Sequence, residues 1–331
     1  MATTVPPLSA RRVPQRPVWA IALAAGAGLL AVPAVASEYV VYVMVLAFLF
    51  ATLTASYDLL LGYTGQLSFA QGAFYGIGAY TSALLTLRTG IPFWLALPLS
   101  GAFVFCLAAA VGYPALKLRG AYFAVTTFFF AHFVYLVFLN SVDLTGGPLG
   151  LGGIQPPESI PVPFLGVIDF SRLGTYYYLV AVFFALTTAF LYFLTRSGPG
   201  RIFVAIREDE TLAESIGINT AAYKVLSFSI SAGLAGLAGS LFAHFFRLLH
   251  PTTFAWMTSE MVVIMTLVGG TGTLFGPILG AGVVTFVLEL MRFAPEMRFI
   301  VWALALIAVL LFEPRGLAGI AVRIYRRRGT P

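Results

Sequence analysis

Apolar residues run along this chain in blocks of about twenty, separated by short polar or Gly- and Pro-rich breaks. A hydrocarbon layer of roughly 30 Å is crossed by about 20 helical residues at 1.5 Å each. Blocks of that kind lie at 18–36, 39–61, 67–87, 92–112, 120–140, 176–194, 225–247, 257–270, 273–291 and 299–312. The pattern predicts an all-α fold: a polytopic transmembrane helical bundle of about ten spans, within a range of eight to ten. Blocks 257–270 and 299–312 are short, and the first reads as a half-crossing or a broken helix. The first block ends in Ala34-Val35-Ala36, which resembles a signal-peptidase site. Because apolar spans continue down the chain, that block is read as a first membrane helix.

Composition agrees with a lipid environment. Of 331 residues, 60% are hydrophobic and only 10% charged, with a mean hydropathy of +0.93. A soluble domain is nearer half apolar and a quarter charged. The net charge of +6 does not point to nucleic acid, because Lys and Arg sit at the ends of apolar blocks, where they act as topology signals. With an even number of spans, fourteen of the nineteen Lys and Arg fall on the side that holds both termini. The other side holds Arg88, Arg172, Arg247, Arg292 and Arg298. The bias predicts cytoplasmic termini. The chain then divides into a cytoplasmic N-terminal segment (1–17), a membrane domain (18–312) and a basic cytoplasmic tail (313–331). Two long loops remain, an outer one at 141–175 and an inner, charged one at 195–224. Loops of that length are suited to partners, outside and inside respectively.

Small residues recur four apart: Gly72 and Gly76; Gly272, Gly276 and Gly280; Ala232, Gly236 and Ser240; Ala235 and Gly239. On a helix such positions share a face and let backbones approach closely in lipid. Thr-Gly breaks interrupt the blocks at Thr64-Gly65-Gln66 and Gly270-Thr271-Gly272, and a third, Thr145-Gly146, lies on the outer loop. Broken helices at membrane depth line a cavity or touch protein, so these residues are the candidates for a solute pathway. Ionisable residues inside or near the spans are Asp58, His132, His244, Glu260 and Glu289. Of these, Asp58, Glu260 and Glu289 are expected near the water interface.

The inner loop reads Arg207-Glu208-Asp209-Glu210-Thr-Leu-Ala213-Glu214-Ser-Ile-Gly217. Acidic residues at 208–210 favour a helix start, and Gly217 a stop. A short amphipathic helix of about two turns is expected, with Leu212, Ala213 and Ile216 on one face. No phosphate-binding Gly-Lys-Ser/Thr loop, His-Glu-x-x-His run, His/Cys cluster or serine elbow occurs, so no catalytic residue, cofactor or metal is expected. The one cysteine, Cys106, lies within an apolar block and reads as a small hydrophobe.

Taken together, Tyr57–Tyr80, Leu118–Val125, Leu144–Pro148 and Ala205–Glu210 resemble the LIV-type branched-chain amino-acid permeases of ABC importers, in particular the M-type subunit, over 39–312. The resemblance implies a permease subunit of a bacterial inner membrane, working by alternating access for branched-chain or related amino acids. It implies as partners a homologous second permease subunit, two cytoplasmic ATPase subunits and an external solute-binding protein. It places coupling to the ATPases on Arg207, Glu208, Asp209, Glu210, Ala213, Glu214 and Gly217. Gln71 stands where the family often has histidine, and the Glu-Ala-Ala phrase of importer coupling segments is Thr211-Leu212-Ala213 here. The rival reading is a proton-coupled secondary transporter, with His132, Glu260 and Glu289 as a relay and no ATPase.

Overall fold

The computed structural model describes residues 28–29, 31–162, 166–291, 316–317 and 319. Helix α1 (Glu38–Asp58) continues into a π-helical turn, Leu59–Tyr63, and then an irregular stretch to residue 70. Next come α2 (Gln71–Thr89), α3 (Phe93–Ala115), α4 (Ala121–Asn140) and a single turn, α5 (Val142–Thr145). A long helix α6 (Leu173–Arg196) leads through α7 (Gly198–Glu208) and α8 (Glu210–Ser215) into α9 (Thr220–Phe246). Two short helices follow, α10 (Trp256–Gly269) and α11 (Phe275–Leu290).

Five helices among the described residues are long and apolar enough to cross a membrane: Glu38–Tyr63, Phe93–Ala115, Ala121–Asn140, Leu173–Arg196 and Thr220–Phe246. These match five of the predicted blocks. The multi-pass architecture holds, but these five do not amount to ten spans. The block 299–312 and most of 18–36 lie outside the described residues. Helices α10 and α11, with 14 and 16 residues, are shorter than the roughly 20 that a crossing takes. Helix α2 is rich in Gly, Ser, Thr and Tyr and is buried in protein rather than set against lipid.

Helix α9 is the axis of the bundle. It packs against α2, α3 and α1, while α1 also receives α6 and α11. The contact between α9 and α2 is backbone on backbone. A Cβ on Gly239 would lie 2.0 Å from the Tyr75 carbonyl oxygen, and one on Gly78 would lie 2.2 Å from that of Gly236. The small-residue pattern on α9 therefore marks a close helix crossing, as lipid-embedded packing requires. The periphery is apolar and exposed: Val182, Leu186, Phe190 and Phe193 line one face of α6, and Val125, Phe129 and Phe133 one face of α4. Residues three and four apart make such a continuous helical stripe, suited to lipid or a membrane partner.

One expectation is refined and one corrected. The bundle is helical as expected, and two short strand ladders are added to it. Strand β1 (Leu151–Gly152) pairs antiparallel with β4 (Leu248–Leu249), and β2 (Ile160–Val162) with β3 (Gly166–Ile168). Gly- and Pro-rich segments cannot continue a helix, and their backbone groups find partners across short ladders instead. Gly272 does not share a helix face with Gly276 and Gly280. It lies before α11, at φ +72°, inside the break between α10 and α11.

Candidate functional site

The inner loop folds as two helices rather than one. Pro199 starts α7, which buries Phe203 and Ile206 and ends at Glu208. Asp209 then turns extended (φ −157°, ψ 105°), and its carboxylate accepts the Leu212 N–H at 2.9 Å, capping α8. An aspartate cap satisfies an orphan donor and complements the helix dipole. At the other end Gly217 takes φ +87°. The Gly217 N–H bonds the Glu214 carbonyl and the Ile218 N–H that of Ala213, at 3.0 and 3.1 Å. That pair of bonds is a Schellman stop, which needs a residue tolerant of left-handed φ.

Helix α8 is bound to the base of α9 by three links. Ala213 is buried. Glu214 Oε1 accepts from the Thr220 hydroxyl at 2.7 Å. Glu210 Oε2 lies 2.6 Å from Lys224 Nζ, a cation only 2% exposed, and Arg119 reaches Oε1 of the same carboxylate at 3.9 Å. Leu212 and Ile216 do not join Ala213 on one face. They point outward, 61% and 70% exposed, four residues apart. The spacing i, i+4 was read correctly, but Ala213 is the inward side of so short a helix.

The Thr-Gly breaks meet the same segment. Arg207 Nη1 donates to the Gly62 carbonyl at 2.5 Å. Its side chain lies over Gly65 and Gly272, where a Cβ would stand 3.0 Å from Arg207 Cγ and 2.8 Å from Nη1 respectively. Arg207 Nη2 also contacts Glu208 Oε1 at 2.6 Å. Thr64 is buried, with its hydroxyl donating to the Leu60 carbonyl at 2.7 Å, and Gln66 folds back toward the Thr64 carbonyl at 3.4 Å. Gly270 is buried and Thr271 exposed. So 64–66 and 270–272 converge on Arg207. Thr145 and Gly146 do not join them. They follow the far end of α4, a helix of 20 residues and so about 30 Å long, whose near end adjoins Arg119. Thr145 is spent on its own turn, donating to the Phe138 and Ser141 carbonyls.

A buried polar seam joins α9 to α1 and α2, and the sequence reading passed over it. Ser227 Oγ lies 3.3 Å from Thr64 Oγ1. Gln71 Nε2 donates to Ser56 Oγ at 3.0 Å, and Ser231 Oγ to Gln71 Oε1 at 3.4 Å. Ser240 donates to Ser82 at 2.7 Å, and Ser82 Oγ lies 3.1 Å from His244 Nε2. The available signal was two i, i+4 polar pairs within one apolar helix, Ser227 with Ser231 and Ser240 with His244. His244 also ties down the outer loop through Nδ1, 2.6 Å from the Gln155 carbonyl. Glu158 of that loop accepts the Phe93 N–H at 2.9 and 3.0 Å and so caps α3. Replacing His244 with alanine is expected to release residues 151–158 at a cost of about 1–3 kcal/mol. Limited proteolysis of the outer face measures it, and an unchanged cleavage rate counts against this anchor.

Beside His244 the outer end holds a cavity of about 200 Å³, lined by Phe170, Ser171, Tyr176 and Arg247 among others. At its rim the Ser171 hydroxyl and N–H hydrogen-bond Asp169, holding that carboxyl below its ordinary range. The remaining ionisable groups are dispersed. His132 on α4 is half-buried against Tyr135, Glu260 on α10 is exposed, and Glu289 on α11 accepts from the Tyr39 hydroxyl at 2.6 Å. Asp58 is not interfacial as expected. It is 2% exposed, with Oδ1 accepting the Gly272 N–H at 2.9 Å.

Comparison with known proteins gives a consistent result. A family model for the permease component of branched-chain amino acid transport systems matches residues 39–312. The high-affinity branched-chain amino acid transport system permease protein LivM of Escherichia coli (strain K12) is 32% identical over 308 residues, covering 86% of this chain and 71% of the relative. LivH, a permease protein of the same transport system and strain, is 28% identical over 290 residues, covering 82% and 91%. The autoinducer 2 import system permease protein LsrC of Salmonella typhi is 27% identical over 190 residues, covering 55% and 51%. No solved structure matches.

Proposed function

The chain belongs to the family of branched-chain amino acid transport system permease components, and from that premise we propose that it is the membrane-spanning permease subunit of a binding-protein-dependent ABC importer for branched-chain or related amino acids. Its partners are a second, homologous permease subunit, two cytoplasmic ATPases and an external solute-binding protein, and both termini face the cytoplasm of a bacterial inner membrane. The chain supplies the path and the lever, while ATP is hydrolysed by the partner subunits. Solute passes between the two permease subunits by alternating access, near the breaks at 64–66 and 270–272.

The observation that carries this reading is the coupling segment itself. Helix α8 is capped at both ends, held to α9 by Glu210–Lys224 and Glu214–Thr220, and still leaves Leu212 and Ile216 exposed. Two bare aliphatic side chains on a capped, internally tethered turn suit a hydrophobic socket on a motor subunit. Because α8 packs on the base of α9, a push on it reaches the axis of the bundle.

The test substitutes aspartate for Leu212 and for Ile216 in the assembled complex. Both sites are exposed, so folding is expected to persist. ATP-driven uptake in proteoliposomes is expected to fall at least about tenfold, since a charge in an apolar socket costs more than 1.4 kcal/mol. Unchanged uptake in both variants sinks the coupling role. Uptake by this chain alone, driven by a proton gradient without ATP, would favour the secondary-transporter reading.

A further inference from the structure

This inference deepens the coupling role just proposed and rests on it. Asp58 sits in the last turn of α1, buried, with one carboxylate oxygen engaged by the Gly272 N–H. The other oxygen, Oδ2, has no partner within hydrogen-bond distance among the described residues, although the Thr273 N–H also faces the carboxyl. A buried carboxylate with one oxygen engaged and the other without a close partner is unfavourable, and a charged donor brought to it would stabilise it.

A suitable donor stands one peptide unit away. Gly272 gives its N–H to Asp58, and the Arg207 guanidinium lies against the α-carbon of the same residue. The room between them is made by absent side chains. A Cβ on Gly62 would fall 2.0 Å from Asp58 Oδ1 and 2.3 Å from the Gly272 nitrogen. Gly62 lies in the π-helical turn, and its carbonyl accepts from Arg207. Such turns interrupt helices mostly where function demands it.

Arg207 is meanwhile paired with Glu208, whose side chain is 68% exposed. An exposed pair between neighbouring residues is weakly held, because water screens it. The same guanidinium facing a buried carboxylate would be held more strongly, since the surroundings screen less. Arg207 has five donors in a planar fork and can keep Gly62 while turning to a new acceptor.

We propose that Asp58 is a positioning residue of the transport cycle, the counter-ion that Arg207 takes up in place of Glu208 when the motor drives the coupling segment against the membrane domain. The exchange clasps the broken end of α1 and the 270–274 turn onto α7 at one point. Both broken helices then move with the coupling segment, and when Arg207 returns to Glu208 only its contacts at Gly62 and Gly272 remain, as in this structure.

The experiment is a double-mutant cycle on ATP-driven uptake by the complete complex in proteoliposomes. Asp58→Asn keeps an oxygen for the Gly272 N–H but removes the charge. Arg207→Gln keeps an N–H for the Gly62 carbonyl but removes the charge. Each single variant is expected to lower uptake about tenfold, and the double variant no further than either single, because both remove the same pair. Losses that multiply, or an Asp58→Asn complex with wild-type uptake, overturn the proposal. A second measurement covers failure of Asp58→Asn to assemble. Arg207→Lys keeps the charge though not the planar fork, and is expected to retain several-fold more uptake than Arg207→Gln. Equal uptake by the Lys and Gln variants overturns the pairing, since neutral donation to Gly62 would then be sufficient. If the wild-type complex shows no ATP-driven uptake, the parent reading fails instead, which separates the two failures.

Discussion

Valine at Gly239 is expected to prevent the bundle from forming. The added Cβ would lie 2.0 Å from the Tyr75 carbonyl oxygen and 2.9 Å from the Ala79 nitrogen. Both are backbone atoms of α2, so no side-chain rotation relieves the clash. The helices would have to part along the whole crossing. Gly78 against Gly236, with 2.2 Å from a would-be Cβ to the carbonyl oxygen, shows how little slack that crossing has. Parting them stretches the Ser240–Ser82 bond at 2.7 Å and the Gln71–Ser231 bond at 3.4 Å, leaving hydroxyl and amide groups unpaired in a dry interior. Overpacking costs about 1–3 kcal/mol where side chains can yield. Each buried polar group left without a partner adds about 1–3 kcal/mol. The sum approaches the whole stability of an ordinary domain, about 5–15 kcal/mol.

The measurement is the yield of monodisperse protein after detergent extraction. Gly239→Val is expected to fall below about one-tenth of wild type, on the same stability arithmetic. Gly282→Val is the control, because a Cβ there meets nothing within 4 Å. It should extract normally. Wild-type yield and uptake for Gly239→Val would mean that α2 and α9 do not cross as described.

Much of this architecture is legible in the chain because lipid imposes a simple rule. Spans must be long, apolar and internally hydrogen-bonded, so hydropathy alone places α1, α3, α4, α6 and α9 within a few residues of their ends. The close crossing of α9 was likewise written in Ala235 and Gly239. What hydropathy conceals is whatever departs from that rule. Block 67–87 reads as one of the apolar spans, but the helix it becomes, α2, is largely buried and covered by α9 rather than set against lipid. The Thr-Gly breaks were visible as breaks, but their partner was not. Gly65 and Gly272 are 207 positions apart in the chain, and only the folded structure lays Arg207 across both. Thr145-Gly146 shared their letters and belongs to a different end of the molecule. Asp58 was placed at the interface because it ends an apolar block, but the α10–α11 turn folds over it and excludes water.

The second large effect concerns the ion pair that fastens α8 to the bundle, and its asymmetry is the informative part. Lys224 is 2% exposed and Glu210 24% exposed, with 2.6 Å between Nζ and Oε2. Removing one partner leaves the other's charge behind, and the cost depends on which charge stays buried. Glu210→Gln leaves an ammonium group in the interior. Lys224→Met leaves a carboxylate that is partly wet and still has Arg119 at 3.9 Å. Breaking a fully buried pair costs about 3–5 kcal/mol, so with the partial exposure of Glu210 discounted, Glu210→Gln is expected to cost about 2–3 kcal/mol. That changes the ratio of docked to undocked α8 by a factor of about 30–150. Lys224→Met should cost less than half as much. The double variant removes both charges and should recover most of the loss, as apolar replacements of buried pairs do. Hydrogen exchange across 209–218 reads the docking of α8 directly, and ATP-driven uptake reads its consequence. If α8 transmits force through this pair, the double variant regains exchange protection while uptake stays below wild type, since Gln against Met slides where Glu against Lys holds. Equal damage from Glu210→Gln and Lys224→Met, or a double variant no better protected than Glu210→Gln, would show that the pair is not what holds the coupling helix to the bundle.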